Sequence, residues 1–540
     1  MTIALRSLAA RSAARSWPPP LLWGTALAVA AFCAVPPIYL LIRAGQDPAA
    51  AADAIFASST LPLAARTIGL AAAVTALATA IALPMAWLTM RTDLPARRVL
   101  LVLAPLPLAV PSYVGALVAI SALGPRGLLQ QALEPAGVER LPSIFGFWGA
   151  TAVLALVTYP YLLLTLFPAL GALDPRLEEL SRSFGRGRWT TFRRVTLPQL
   201  RPALASGALL VALYALADFG AVSLLRFDSF TRVIFLRYQS SFDRGGAAAL
   251  ALVLAAIALG IVALEVWSRG RVRYDSAHGA ARRAERVQLG RWRWPALAFV
   301  VAVLTLALAV PVGVLGYWLA RGLGAGEAIE GVWGAAFDSL LASALAAAVA
   351  GVIALPVALL AARHRRFVLT RPAEVLAHTG FALPGLVVAL AFVFAAINFG
   401  SLYQSLWVLI AAYALLFLPQ ALGTTRVALL QISPSMEEAA RGLGRPASRV
   451  LTTITLPLAR PGILAGAALV FLTTMKELPA TLILAPIGFE TLAVRVWSAS
   501  NEAFFARAAL PALLLIALSA IPLLLPTLAR TRQLTRWRVD

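Results

Sequence analysis

Residues 178–202 read EELSRSFGRGRWTTFRRVTLPQLRP, and residues 437–461 read EEAARGLGRPASRVLTTITLPLARP. Both are polar islands between long apolar runs. In register, Glu179 falls on Glu438, Gly185 on Gly444, Leu197 on Leu456, Pro198 on Pro457 and Pro202 on Pro461, every pair separated by 438 − 179 = 259 positions. Glycine releases the backbone and proline restricts it, so a constant offset over these residue types implies two copies of one structural unit. The register extends outward: Tyr159-Pro160 falls on Leu418-Pro419, Asp218 on Glu477, Phe230 on Phe489 and Tyr238 on Trp497. Upstream, Ile81-Ala-Leu-Pro84 matches Ile353-Ala-Leu-Pro356 at an offset of 356 − 84 = 272.

The apolar runs define the class. Of 540 residues 60% are hydrophobic and 13% charged, about half the charge of a soluble domain, which points to an integral membrane protein. Runs long enough to span a bilayer fall at about 21–43, 62–90, 99–123, 144–170, 203–226 and 245–268 in the first half. In the second half they fall at about 294–320, 335–362, 374–398, 403–430, 462–486 and 505–528. The expected fold is therefore an all-α polytopic membrane protein with about 12 transmembrane helices. With six per half, both halves enter from one side, as a parallel repeat with a path expected between the halves. The expected organisation is a first half at 1–268, a basic linker at 269–293 and a second half at 294–540.

The net charge of +22 invites a nucleic-acid reading. The arginines, however, sit in short loops: Arg6, Arg11 and Arg15 before the first span, Arg91, Arg97 and Arg98 after the second, and Arg363, Arg365, Arg366 and Arg371 after the eighth. The linker adds Arg269, Arg271, Arg273, Arg282, Arg283, Arg286, Arg291 and Arg293, and the tail Arg530, Arg532, Arg536 and Arg538. Opposite loops hold Asp47 and Asp53, or Glu327 and Glu330 against Arg321. The positive-inside rule thus places both termini and both polar repeats in the cytoplasm and excludes a nucleic-acid partner. The basic N-terminal end also fits a signal peptide; that reading leaves eleven spans and a basic end outside, so it is set aside. Cys33 is the only cysteine, and His278, His364 and His378 are scattered, so no metal site is assigned. Lys476, the only lysine, lies between Met475 and Glu477, which rules out a Gly-Lys-Ser/Thr phosphate loop. No nucleotide or other cofactor is expected to bind this chain, and no catalytic constellation is visible.

Each polar repeat reads as a bent helical knuckle. Acids open a short helix, where carboxylates favour the positive end; Gly185 or Gly444 then takes a left-handed cap conformation. A second segment follows, closed by Leu-Pro. A merely basic topology loop would explain the arginines but not the glycines and prolines held in register.

The order Glu, six positions to Gly, twelve more to Leu-Pro, then Pro resembles the EAA loop of permease subunits of bacterial ABC importers, here at about 174–202 and 433–461. The likeness covers both halves. It implies that each loop is a coupling helix docking into a cleft on a separate ATPase subunit, with ATP bound there. Glu179, Gly185, Leu197, Pro198, Glu438, Gly444, Leu456 and Pro457 are then the coupling positions. It further implies two ATP-binding subunits, a periplasmic substrate-binding protein and residence in the bacterial inner membrane. The first copy departs from the name-giving triplet at Leu180-Ser181, and Arg186, Arg188, Arg193 and Arg194 make it more basic, which implies unequal grip on the two ATPase subunits.

Asp218, Lys476 and Glu477 fall inside apolar spans, where a central charge is costly and faces a partner or a watery path. They are candidates either for a cation pathway or for an ion pair of Lys476 with Asp218 or a neighbouring acid. Asp-Phe-Gly-Ala-Val at 218–222 and Lys-Glu-Leu-Pro-Ala-Thr at 476–481 resemble segments of fused two-half permeases for ferric iron, which implies that cargo. Fused permeases for thiamine or polyamines share the architecture. A secondary transporter with parallel repeats is the alternative of another class, but it has no need of two matched knuckles.

Overall fold

The computed structural model describes residues 19–240, 244–269, 287–327, 330–378, 380, 383–398 and 400–536. Arg6, Arg11, Arg15, Arg271, Arg273, Arg282, Arg283, Arg286, His278 and Arg538 lie outside the described residues. Within them the structure is helical, apart from one isolated bridge between Thr92 and Val287. Eleven helices among the described residues are long and apolar enough to cross a membrane, and a further apolar helix, Gly385–Asn398, has only 14 residues. The all-α polytopic expectation holds, with one of the twelve expected spans short.

Two of the expected runs are not single helices among the described residues, and in the first proline is the reason. The run at 99–123 divides into Arg97–Leu103, a single turn at Leu106–Ala109 and Ser112–Leu123. Pro105, Pro107 and Pro111 lack the amide that an uninterrupted helix needs. Tyr159 fastens this break from the neighbouring span, its hydroxyl donating to the Ala104 carbonyl at 3.0 Å. The run at 374–398 divides into Thr370–Ala377 and Gly385–Asn398, with Pro384 just before the second piece. Two further runs break where charges sit: Leu197–Ala217 stops at Asp218 before the short helix Gly220–Leu224, and Leu456–Met475 stops at Lys476-Glu477 before Pro479–Leu484.

The chain forms two compact units, neither of them a contiguous half. One comprises Met1–Tyr39, Leu340–Met475 and Ile483–Ile487; the other comprises Leu40–Ser339, Lys476–Leu482 and Gly488–Asp540. In the larger unit the span Phe147–Ala172 packs on Thr60–Arg91 and on Leu197–Ala217. Closeness there requires Gly207, where a Cβ would come within 2.6 Å of the Thr165 hydroxyl and 2.8 Å of Leu162. In the smaller unit Leu406–Gln431 packs on Leu456–Met475, and a Cβ on Gly466 would collide with the Thr424 hydroxyl. Gly207 and Gly466 stand 466 − 207 = 259 positions apart, so the small-residue contact that lets membrane helices approach is itself part of the repeat.

Candidate functional site

The two knuckles are built from the same parts. In the first, Asp174 accepts from the Arg176 amide at 3.0 Å and Pro175 opens the helix Pro175–Ser183, a placement that wastes no hydrogen bond. In the second, Ser433 precedes the helix Pro434–Gly442. Both chains then turn at glycine: φ is 76° at Gly185 and 81° at Gly444, and each amide donates to a carbonyl three residues back, Arg182 or Arg441, at 2.9 Å. No atom lies within 4 Å of where a Cβ would stand at either glycine. The requirement is backbone conformation, not space.

The second segment differs from expectation. Leu197-Pro198 and Leu456-Pro457 do not close it; they open the long helices Leu197–Ala217 and Leu456–Met475, which the knuckle enters through π-helical turns at Phe192–Thr196 and Leu451–Thr455. An interior proline clashes with the carbonyl four residues earlier, here that of Arg194 or Thr453. Both carbonyls lie in the widened turns, where the amides of Leu197 and Leu456 reach back five residues to Phe192 and Leu451. The helix passes its proline by widening, and such turns are frequent at functional sites.

The acids divide their work. Glu179 and Glu438, the expected coupling positions, are exposed on the knuckle surface. Their neighbours Glu178 and Glu437 turn inward, since adjacent helical residues point about 100° apart. Glu178 accepts from Arg91 Nη2 at 2.5 Å and from the Thr196 hydroxyl at 2.8 Å. Glu437 accepts from Arg363 Nη2 at 2.9 Å, from Arg363 Nε at 3.2 Å and from the Thr455 hydroxyl at 3.0 Å. Arg91 and Arg363 end the spans Thr60–Arg91 and Val332–Arg363. Sequence reading took these arginines as topology signals and missed Glu178, Glu437, Thr196 and Thr455. The signal was present, because Arg91 and Arg363 keep the offset of 272 while the Glu and Thr pairs keep 259.

The first knuckle has an extra attachment. Val287 donates its amide to the Arg91 carbonyl at 2.9 Å and accepts from the Asp93 amide at 3.3 Å, while the Leu289 amide donates to Asp93 Oδ1 at 2.9 Å. The end of the basic linker is thus laid against the residue that holds Glu178.

The charged residues of the interrupted spans have defined partners. Asp218 accepts from the amides of Ala221 at 3.0 Å and Val222 at 3.3 Å, and Glu477 accepts from that of Ala480 at 3.2 Å. Each carboxylate caps the short helix that follows it, satisfying amides that have no water to turn to. Both carbonyls also accept a threonine hydroxyl at 2.6 Å, but from positions that are not equivalent in the repeat: Thr231 donates to the Asp218 carbonyl from 13 residues on, and Thr481 to the Glu477 carbonyl from four residues on. Lys476 does not form the ion pair considered above. Among the described residues its ammonium instead donates to the Leu108 carbonyl at 2.8 Å, in the proline-broken third run. Tyr214 stands close enough to interact electrostatically with both Asp218 and Glu477, and Ser112 lies beside Asp218 and Tyr214. Tyr161 lies beside Tyr214, its ring tilted by 44° and the centroids 5.7 Å apart. The positions equivalent to these tyrosines, 259 further on, are Gln420 and Thr473, which hydrogen-bond to each other at 3.2 Å.

The family described as "Binding-protein-dependent transport system inner membrane component" matches residues 78–274 and again 354–538. The chain belongs to this family. The permease is similar to the Fe(3+)-transport system permease protein FbpB 2 of Haemophilus influenzae, 38% identical over 386 residues, covering 70% of this chain and 76% of that one. It is also similar to a probable molybdenum ABC transporter permease protein of Haloferax volcanii, 31% identical over 231 residues, 42% of this chain and 82% of that one. The sulfate transport system permease protein CysT of Escherichia coli is 32% identical over 181 residues, 32% of this chain and 64% of that one. The two family matches contain one knuckle each. The permease is a multi-pass inner-membrane component of an ABC transporter.

Proposed function

We propose that this permease imports ferric iron, delivered by a periplasmic binding protein, and that its two knuckles dock on the cytoplasmic face against separate ATPase subunits that bind the ATP. The observation that carries the ATP-driven part is the duplication of the whole knuckle: exposed Glu179 and Glu438, left-handed Gly185 and Gly444, and the π-helical entry to Leu197-Pro198 and Leu456-Pro457. Two docking surfaces of the same build suit two nucleotide-binding subunits that close together. Arg193 and Arg194 of the first knuckle, where the second has Thr452 and Thr453, are exposed, which supports unequal contacts with the two subunits.

Iron is supported by the Haemophilus influenzae relative, whose likeness covers 70% of this chain against 32% for the sulfate permease. The chemistry agrees: Asp218, Glu477 and the hydroxyl of Tyr214 present hard oxygen donors along the interrupted spans. Alternating access moves the cargo, with ATP closing the ATPase subunits and the knuckles carrying that movement into the spans. Purified permease reconstituted in vesicles with its ATPase subunits and loaded binding protein should take up radioactive ferric iron on adding ATP. Uptake of sulfate or molybdate in place of iron overturns the cargo; uptake driven by an ion gradient without any ATPase subunit overturns the mechanism.

A further inference from the structure

The knuckles need a route by which their movement reaches the membrane, and a covalent loop alone is a slack one. The fold supplies a second connection in each copy. Arg91, Glu178 and Thr196 join three elements: the end of the span Thr60–Arg91, the first turn of the knuckle helix, and the π-helical turn that leads into the span Leu197–Ala217. Arg363, Glu437 and Thr455 do the same in the second copy.

These are buried joints. The side chains of Arg91 and Glu178 are 8% and 12% exposed, and those of Arg363 and Glu437 are 16% and 8% exposed. Surface ion pairs bend with solvent and contribute little, whereas a buried charge separated from its partner is left uncompensated. Each carboxylate also sits in the first turn of its helix, where the helix end favours it. Arg363 reaches one residue further, with Nη2 donating to the Ile432 carbonyl at 3.2 Å, just ahead of the knuckle. A displacement of the knuckle therefore pulls on two spans at once through charge-assisted bonds.

We infer that Arg91–Glu178–Thr196 and Arg363–Glu437–Thr455 are the mechanical joints of coupling, positioning residues that convert knuckle movement into span movement while the outward Glu179 and Glu438 make the docking contact. This rests on the reading of the knuckles as ATPase-docking elements and assigns a separate role to the inner acid. The chain length between the members of a joint differs, 87 residues from Arg91 to Glu178 and 74 from Arg363 to Glu437, yet the same triad forms. A contact that survives a 13-residue difference in the intervening loops (87 − 74 = 13) is placed by the fold of each copy, not by local sequence.

The test uses the reconstituted complex of permease, ATPase subunits and loaded binding protein, and reads two quantities: ATPase subunit retained on purification, and ATP hydrolysed per iron imported. The variant Glu178→Gln with Glu437→Gln keeps shape and the threonine hydrogen bonds while removing both charges. It should retain the ATPase subunits and hydrolyse ATP, with ATP consumed per ion rising about tenfold. Exchange of the charges, Arg91→Glu with Glu178→Arg and Arg363→Glu with Glu437→Arg, should restore the ratio toward the native value. Should the glutamine variant fail to insert, Thr196→Val with Thr455→Val keeps the ion pairs and should raise the ratio less. A ratio unchanged while uptake and hydrolysis fall together marks the triads as mere supports and overturns the inference. Loss of ATP dependence in the unaltered permease overturns the docking reading instead.

Discussion

Gly442 and Gly444 lie two residues apart at the end of the second knuckle helix, and both have open space where a Cβ would be placed. They differ in backbone. Gly442 is the last residue of the helix Pro434–Gly442, whereas Gly444 has φ of 81°. Alanine at 442 relieves the entropic cost of helical glycine, about 0.5–1 kcal/mol at most. Alanine at 444 must enter the left-handed region, at about 1–2 kcal/mol, and valine there costs more because its branched Cβ is stiffer. A loss of about 1–2 kcal/mol shifts the population of the competent knuckle by up to about 5–30-fold. Titrating ATPase subunit onto detergent-purified permease measures this as apparent affinity. Gly444→Ala should weaken binding by several-fold, up to about 30-fold, and Gly444→Val further, while Gly442→Ala binds as well as native or better. Gly185→Ala should reproduce the defect on the first copy, and the two effects should multiply if the knuckles act independently. Equal affinities for Gly442→Ala and Gly444→Ala would refute the claim that the left-handed turn shapes the docking element.

Neutralising both carboxylates, Asp218→Asn with Glu477→Gln, should cut iron uptake at least several-fold while ATPase subunits still bind; native uptake would make these residues helix caps alone. Lys476→Met leaves the buried Leu108 carbonyl without its ammonium donor, a loss of about 1–3 kcal/mol, and should lower the thermal midpoint in detergent. His364 lies at the foot of the span Val332–Arg363, where partial burial and the charge of Arg441 on the second knuckle hold its pKa below 6.5. A depressed histidine pKa favours the neutral form, so its contribution to stability is fully present above the unfolded value of about 6.5 and is lost as pH falls through the folded value. Thermal midpoints should therefore drop between about pH 7 and pH 5, and His364→Gln should flatten that drop.

Much of the knuckle geometry was legible in the sequence. Gly185 and Gly444 declared their turns because open left-handed backbone selects glycine, and the offset of 259 found both copies. The inward acid was not legible. Glu178 and Glu179 are chemically identical neighbours, and only the arrival of Arg91 from 87 residues away decides which one is buried. The π-helical turns were hidden for a related reason: Leu-Pro reads locally as a helix end, while the structure widens one turn and carries on. Hydropathy averages likewise overlooked the breaks at Pro105 to Pro111, since proline within an apolar run hardly lowers the mean. An ion pair of Lys476 with Asp218 or a neighbouring acid was one of two readings, because charges in lipid need partners; Lys476 and Asp218 are instead bonded to backbone groups exposed by helix breaks.

The central claim is that two knuckles couple this permease to ATP hydrolysed by other chains. The measurement that tests it most directly is uptake of radioactive ferric iron by vesicles holding purified permease, loaded binding protein outside, and ATP with the ATPase subunits added or withheld inside. Uptake that requires both ATP and the ATPase subunits, and is lost in the Gly185→Val with Gly444→Val variant although the protein inserts normally, is the predicted result. Equal uptake with the ATPase subunits withheld, or unchanged uptake in that variant, would contradict it.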